Sequence, residues 1–198
     1  MIFYGILKYM DEVGPSIKGN QVIFAKGYLT EKFGPDAFDK VIEQLDPQSR
    51  EILTRPILHV GWIPEECFVK FLISIDNLFG KGNYELCYQI GYYLGEISIP
   101  QFYRMFLKFG DPLFLVQRAP HLWKQLHNNG RLEVIKVNSH SVIARLIDKA
   151  YPHKAFCFYA MGFSKKGLEL TGAKHVTIEE VKCVNSGAEF CEFSVSWQ

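Results

Sequence analysis

Apolar residues recur at helical spacing through most of the first two thirds of the chain. Phe68, Phe71, Leu72, Ile75, Leu78 and Phe79 share one helical face, and Gly80 ends the run. Tyr84 to Ile97 repeats the pattern through Leu86, Cys87, Ile90 and Leu94. Shorter helices are predicted from Val22 to Phe33, from Pro35-Asp36 to Gln44, and from Asp46-Pro47 to Leu53. Pro100 is read as the start of a further helix carrying Phe102, Phe106 and Phe109. Gly110-Asp111-Pro112 punctuates, and a last helical segment reaches about His127. Ile57 to Trp62 reads as extended. Ile2 to Leu7 reads as a strand or arm, set apart by the break at Gly14-Pro15-Ser16.

The pattern changes at Asn128-Asn129-Gly130. Leu132–Val137 and Ser141–Ile147 alternate or run apolar around Asn138-Ser139-His140, which predicts a hairpin. A helix follows from about His153 to Leu170, ended by Gly172. Val176–Val184 and Glu189–Trp197 predict two more strands around Asn185-Ser186-Gly187. The fold class is therefore α+β, a helical N-terminal region packed on a four-stranded antiparallel sheet of ββαββ order. Three stretches make one compact domain: an arm over 1–20, helices over 21–129, and the α+β region over 130–198.

Composition narrows the function classes. The chain has 198 residues, 22 Lys and Arg against 21 Asp and Glu, and a net charge of +1, which gives no support for nucleic acid as the main partner. No apolar run reaches the ~20 residues of a membrane span. The N-terminal stretch lacks a basic leader, and the expectation is a cytoplasmic protein with reduced thiols. Sixteen Phe, 10 Tyr and 3 Trp give an aromatic share of 15%, enough to line a pocket or fill a core. Five cysteines leave at least one without a partner in the chain. No phosphate loop, nucleophile elbow or acid–base pair is present, which argues against an enzyme.

Cys157, Glu180, Cys183 and Cys191 are the candidate metal ligands. Zinc takes four ligands from thiolate, imidazole and carboxylate in a tetrahedron. Cys183 and Cys191 flank Gly187 symmetrically, so the terminal hairpin pairs them, and the preceding helix offers Cys157. Glu180 and Cys183 are three apart, which on an ideal strand points them to opposite faces. A bulge must intervene if both bind. The other readings are a buried small hydrophobe at Cys157 with an incidental pair, or a cross-strand disulfide. Cys67 and Cys87 sit on apolar helical faces and are expected in the core. Phe102, Phe106, Trp123 and Tyr159 are candidates for an apolar ligand pocket, against an ordinary helix–sheet core.

The C-terminal section resembles the 4-vinyl reductase domain, a small-molecule-binding module. The likeness rests on Cys183 and Cys191 with Glu192-Phe193, on Ala155-Phe156-Cys157, and on Leu168 to Ala173. Over its whole length the chain looks similar to a related bacterial family of unassigned function, through Lys26-Gly27-Tyr28 to Phe33-Gly34-Pro35 and Ile57 to Pro64. The resemblance implies zinc on Cys157, Glu180, Cys183 and Cys191. It also implies a fold shared with haem nitric-oxide sensors and with vesicle-tethering subunits.

Haem sensors of that group use a helical His and a Tyr-x-Ser-x-Arg motif. The motif is absent here, which argues against haem, and His121 and His127 are read as surface or satisfied helical residues. The resulting expectation is a non-enzymatic sensory domain. It would bind a small apolar or aromatic ligand between helices and sheet and work through a separate signalling protein or a homo-oligomer. Zinc would be structural. The alternatives are a protein-interaction scaffold and a haem-based gas sensor.

Overall fold

The computed structural model describes residues 14–102 and 111–198. The elements run β1 (Ser16–Lys18), α1 (Asn20–Phe33), α2 (Ala37–Glu43), α3 (Pro47–Thr54), β2 (Trp62–Pro64), α4 (Glu65–Phe79) and α5 (Glu85–Phe102). They continue with α6 (Pro112–Leu126), β3 (Arg131–Asn138), β4 (Ser141–Ile147), α7 (Lys154–Leu170), β5 (Thr177–Lys182) and β6 (Cys191–Ser196). The four-stranded sheet has the order β3-β4-β6-β5, antiparallel throughout. This is the predicted α+β arrangement, with α7 crossing between the two hairpins.

Several boundaries differ from expectation for local reasons. The helix expected to begin at Pro100 is the end of α5, which runs through that proline to Phe102. A proline in the last turn forfeits one backbone hydrogen bond and leaves the preceding helix intact. The segment from Ile57 is mostly a turn, closed by Gly61 N–H donating to the Leu58 carbonyl at 3.0 Å, and only Trp62–Pro64 is strand. Its partner is β1, in the stretch read as a break, so the two short strands make a sheet that tacks the start of the described chain to the N-terminus of α4. The arm expected over Ile2–Leu7, with Phe106 and Phe109, lies outside the described residues.

Helix α6 starts on Pro112 because Asp111 caps it, its carboxylate accepting from Leu113 N–H at 2.9 Å. Helix α7 is capped by His153, whose Nδ1 accepts from Ala155 N–H at 3.1 Å. The α5–α7 contact is the most extensive between helices. It is made by glycines: a Cβ on Gly91 would collide with the Tyr159 carbonyl, and one on Gly162 with the Tyr88 carbonyl. On its other side, α7 lies over the sheet face bearing Val142, Leu146, Phe193 and Val195, all buried.

Candidate functional site

Two features flank α7: an internal cavity and a cysteine cluster. The cavity lies between α5, α6, α7 and the sheet, and holds about 160 Å³. Its wall is overwhelmingly apolar, with Leu115 and Ala119 from α6, Val142 and Leu146 from β4, and Phe156 from α7. An engineered apolar cavity of similar size accepts benzene or xenon. Trp123 and Tyr159, expected at a pocket, both line it. Phe102 and Phe106 give no test of that expectation, because their side chains lie outside the described residues.

The polar residues on the wall include Gln21, His127 and Tyr159. Tyr159 donates its hydroxyl hydrogen to Gln21 Oε1 at 3.0 Å, and Gln21 Nε2 points to the Leu126 carbonyl at 3.4 Å. His127 stacks on Trp123 with centroids 3.9 Å apart, and it caps α6 by donating its own N–H to the Trp123 carbonyl at 2.8 Å. Its Nδ1 is buried without a hydrogen-bond partner, 3.8 Å from Glu65 Oε1. Burial pushes the imidazole down to about 3, so it is neutral at working pH.

Glu65 is fully buried and takes an ion pair from Lys149, whose ammonium also lies 3.7 Å over the Phe156 ring. Burial pulls Lys149 down to about 7. The sequence reading missed this cluster and treated His127 as a surface or satisfied residue. The available signal was its place four residues after Trp123, directly after the end of α6. His121, by contrast, is exposed and pairs with Gln125 at 3.0 Å.

The cysteine cluster forms where α7 meets the terminal hairpin. The β5–β6 register shifts between Glu180 and Lys182, the irregularity that the odd spacing of Glu180 and Cys183 demands. Ligand atoms of Cys157, Glu180, Cys183 and Cys191 all lie within 4.8 Å of one another. Cys157 Sγ is 3.7 Å from Cys191 Sγ, which is 4.0 Å from Cys183 Sγ. Tetrahedral zinc with bonds of about 2.3 Å needs sulfurs about 3.8 Å apart. All three cysteines are free and buried, and Glu180 Oε1 is buried without a partner. Cys191 is drawn down to about 6, chiefly by the hydrogen bond from Cys157, with Val184 N–H also donating to its sulfur at 3.5 Å. The same contact pushes Cys157 up. Three sulfurs and a carboxylate brought together, with one thiol lowered, are the kind of donor set a soft metal ion takes. Cys67 and Cys87 are buried in the core, as expected.

This α+β architecture is the fold of H-NOX domains. An H-NOX protein from S. oneidensis in the Fe(II)NO state superposes with a TM-score of 0.74 at 16% identity, covering 92% of this chain and 99% of that one. An H-NOX protein from K. algicida superposes at 0.70 and 14% identity, covering 92% and 97%. An oxygen-binding H-NOX domain related to soluble guanylate cyclases gives 0.69 at 14% identity, covering 92% and 95%. No protein-family model and no curated protein matches the sequence.

These findings correct two expectations. The likeness to the 4-vinyl reductase domain is not upheld, since the structural neighbours over nearly the whole chain are H-NOX domains. The argument against haem falls too: a missing short motif is a weaker guide than a fold whose solved examples carry ferrous iron with NO or CO. To a haem the described walls offer an apolar lining and one neutral imidazole, His127, whose unpartnered Nδ1 lies beside Glu65. The lining suits the group in kind, but a space of about 160 Å³ is sized for a benzene ring and not for a porphyrin.

Proposed function

We propose that this chain is a sensory domain that takes a gas, or a ligand nearly as small, into the cavity bounded by α6, α7 and the sheet. The observation that carries the proposal is the cavity itself: apolar, set between helices and sheet, and placed in an H-NOX fold. Ligand entry would favour one of two arrangements of the packed helices, and a separate signalling protein or a second copy would read the difference.

The haem-based form is the reading the fold favours. His127 and the apolar walls are the residues that would hold the group, and the space between them would have to open well beyond about 160 Å³ to admit it. Haem supplies, when bound, an iron centre that can take a diatomic gas. Titrating the purified chain with haemin and reducing it tests this. A Soret band that shifts on adding NO supports it, and the absence of any band after reconstitution sinks it.

The second reading, direct binding of a small apolar molecule, is supported by the cavity's volume of about 160 Å³. Xenon or benzene binding by the haem-free chain tests that form. Either form favours a sensor over an interaction scaffold, for which a cavity has no use. Zinc on Cys157, Glu180, Cys183 and Cys191 would tie α7 to the hairpin. Four protein ligands leave no open position, so its role would be structural.

A further inference from the structure

A second recess shares no wall residue with the cavity. It opens where α1, α5 and α7 meet, and its volume is about 620 Å³. Four tyrosines line it, Tyr28 from α1 and Tyr88, Tyr92 and Tyr93 from α5. The Tyr28 and Tyr93 rings meet at 71° with centroids 5.2 Å apart, an aromatic corner built from two helices. Two of the hydroxyls are committed within the chain. Tyr28 donates to Gln89 Oε1 at 2.9 Å, and Tyr92 donates to Glu169 Oε2 at 2.5 Å.

Tyrosine ring faces carry the negative side of the aromatic quadrupole and attract cations. The carboxylates of Glu31, Glu96 and Glu169 border the same recess. The chain already grips one cation here in this way. Lys166 Nζ lies 4.8 Å over the Tyr92 ring and pairs with Glu96 at 2.9 Å. The half-buried rings of Tyr88 and Tyr93 hold no such cation among the described residues. Two ammonium groups also border the recess. Lys32 pairs with Glu31 at 3.2 Å, whereas Lys165 has no carboxylate partner among the described residues.

We propose that this recess binds a small zwitterion of the betaine type, its quaternary ammonium against the tyrosine rings and its carboxylate on Lys165. A quaternary ammonium carries no N–H and so needs no acceptor of its own, only ring faces and negative charge nearby. The attached carboxylate offsets the charge of Lys165, which a bare cation leaves unbalanced.

Glycine betaine and 3,3-dimethylbutanoate test the proposal, being of one shape and differing in a single positive charge. Titrations of the full chain, followed by the NMR signals of the tyrosine rings, give both affinities. Betaine is expected to bind about tenfold more tightly, the scale of a partly desolvated cation–π contact. Equal affinities, or no binding of betaine, overturn the proposal. Choline lacks the carboxylate and is expected to bind about threefold more weakly than betaine, the scale of an exposed ion pair. Choline binding as tightly as betaine overturns the part given to Lys165. Tyr93→Leu should lose about tenfold in betaine affinity and Tyr93→Phe should keep it, since the ring face and not the hydroxyl is needed. Equal loss in both variants overturns the ring contact, and the comparison of ligands on the unaltered chain stands without either variant.

Discussion

Gly91 faces the main-chain carbonyl of Tyr159 with no room for a methyl group between them. The contact sets how closely α5 approaches α7, and so where the cavity wall stands. Gly91→Ala must push the two helices apart. The expected cost is about 1–3 kcal/mol, the range for forced overpacking. Gly27→Ala in the interior of α1 is the matched control, since its Cβ would meet only the Tyr93 hydroxyl, at 3.8 Å. That change should gain up to about 1 kcal/mol by removing backbone freedom from the unfolded chain. Urea unfolding of both variants checks the pair, and equal effects would refute the account.

Filling the cavity should separate ligand binding from folding. Ala119 lines it from α6. Ala119→Leu is expected to raise stability by about 0.5–2 kcal/mol, as cavity-filling changes commonly do, and to abolish xenon or benzene binding. A variant that is stabilised and still binds would place the ligand elsewhere.

The cysteine cluster predicts a bound metal. Protein purified under reducing conditions without added zinc should carry close to one equivalent by elemental analysis. Cys183→Ser should lose most of it, and chelation should lower the melting temperature of the parent chain but not of the variant. Folded, reduced protein free of zinc that takes none up would end this assignment.

His127 gives a pH dependence of definite sign. Its folded-state value is about 3, against 6.5 when exposed. Between these values the unfolded chain binds the extra proton, so stability rises with pH across that window. The contribution is fully present above pH 6.5 and is lost as the pH falls toward 3. Glu65 lies 3.8 Å from the ring and is itself paired with Lys149, so the informative quantity is the difference between the parent and His127→Gln. Urea midpoints from pH 7 to 4 should fall less steeply in the variant. Parallel curves would show that the ring does not govern the window.

The sequence made the two antiparallel hairpins and the helix between them legible, because both hairpins have short turns and strong apolar patterning; the order of the strands across the sheet was not read from it. It also gave the four cysteine-site residues and the need for an irregularity near Glu180, which the register shift supplies. The cavity was legible only by type of residue. Trp123 and Tyr159 face it, but helical spacing reads the same for a filled core. The Glu65–Lys149 pair was out of reach, because the partners lie 84 residues apart and meet only once α4 and the end of β4 are packed. The family resemblance failed where motif and fold diverge: a few C-terminal matches weighed more than an architecture that only coordinates reveal.

Cys157 and Tyr159 are neighbours on the same rigid rod, one bonded toward the cysteines and the other bounding the cavity. Gly162, less than a turn further on, locks that rod against α5. A helix so clamped cannot absorb a shift at one end by bending, and so passes it on. A metal held by the cysteines and a ligand held in the cavity would then both bear on this one helix. Whatever tightening zinc brings to the affinity for ligand, ligand must return to the affinity for zinc in equal measure.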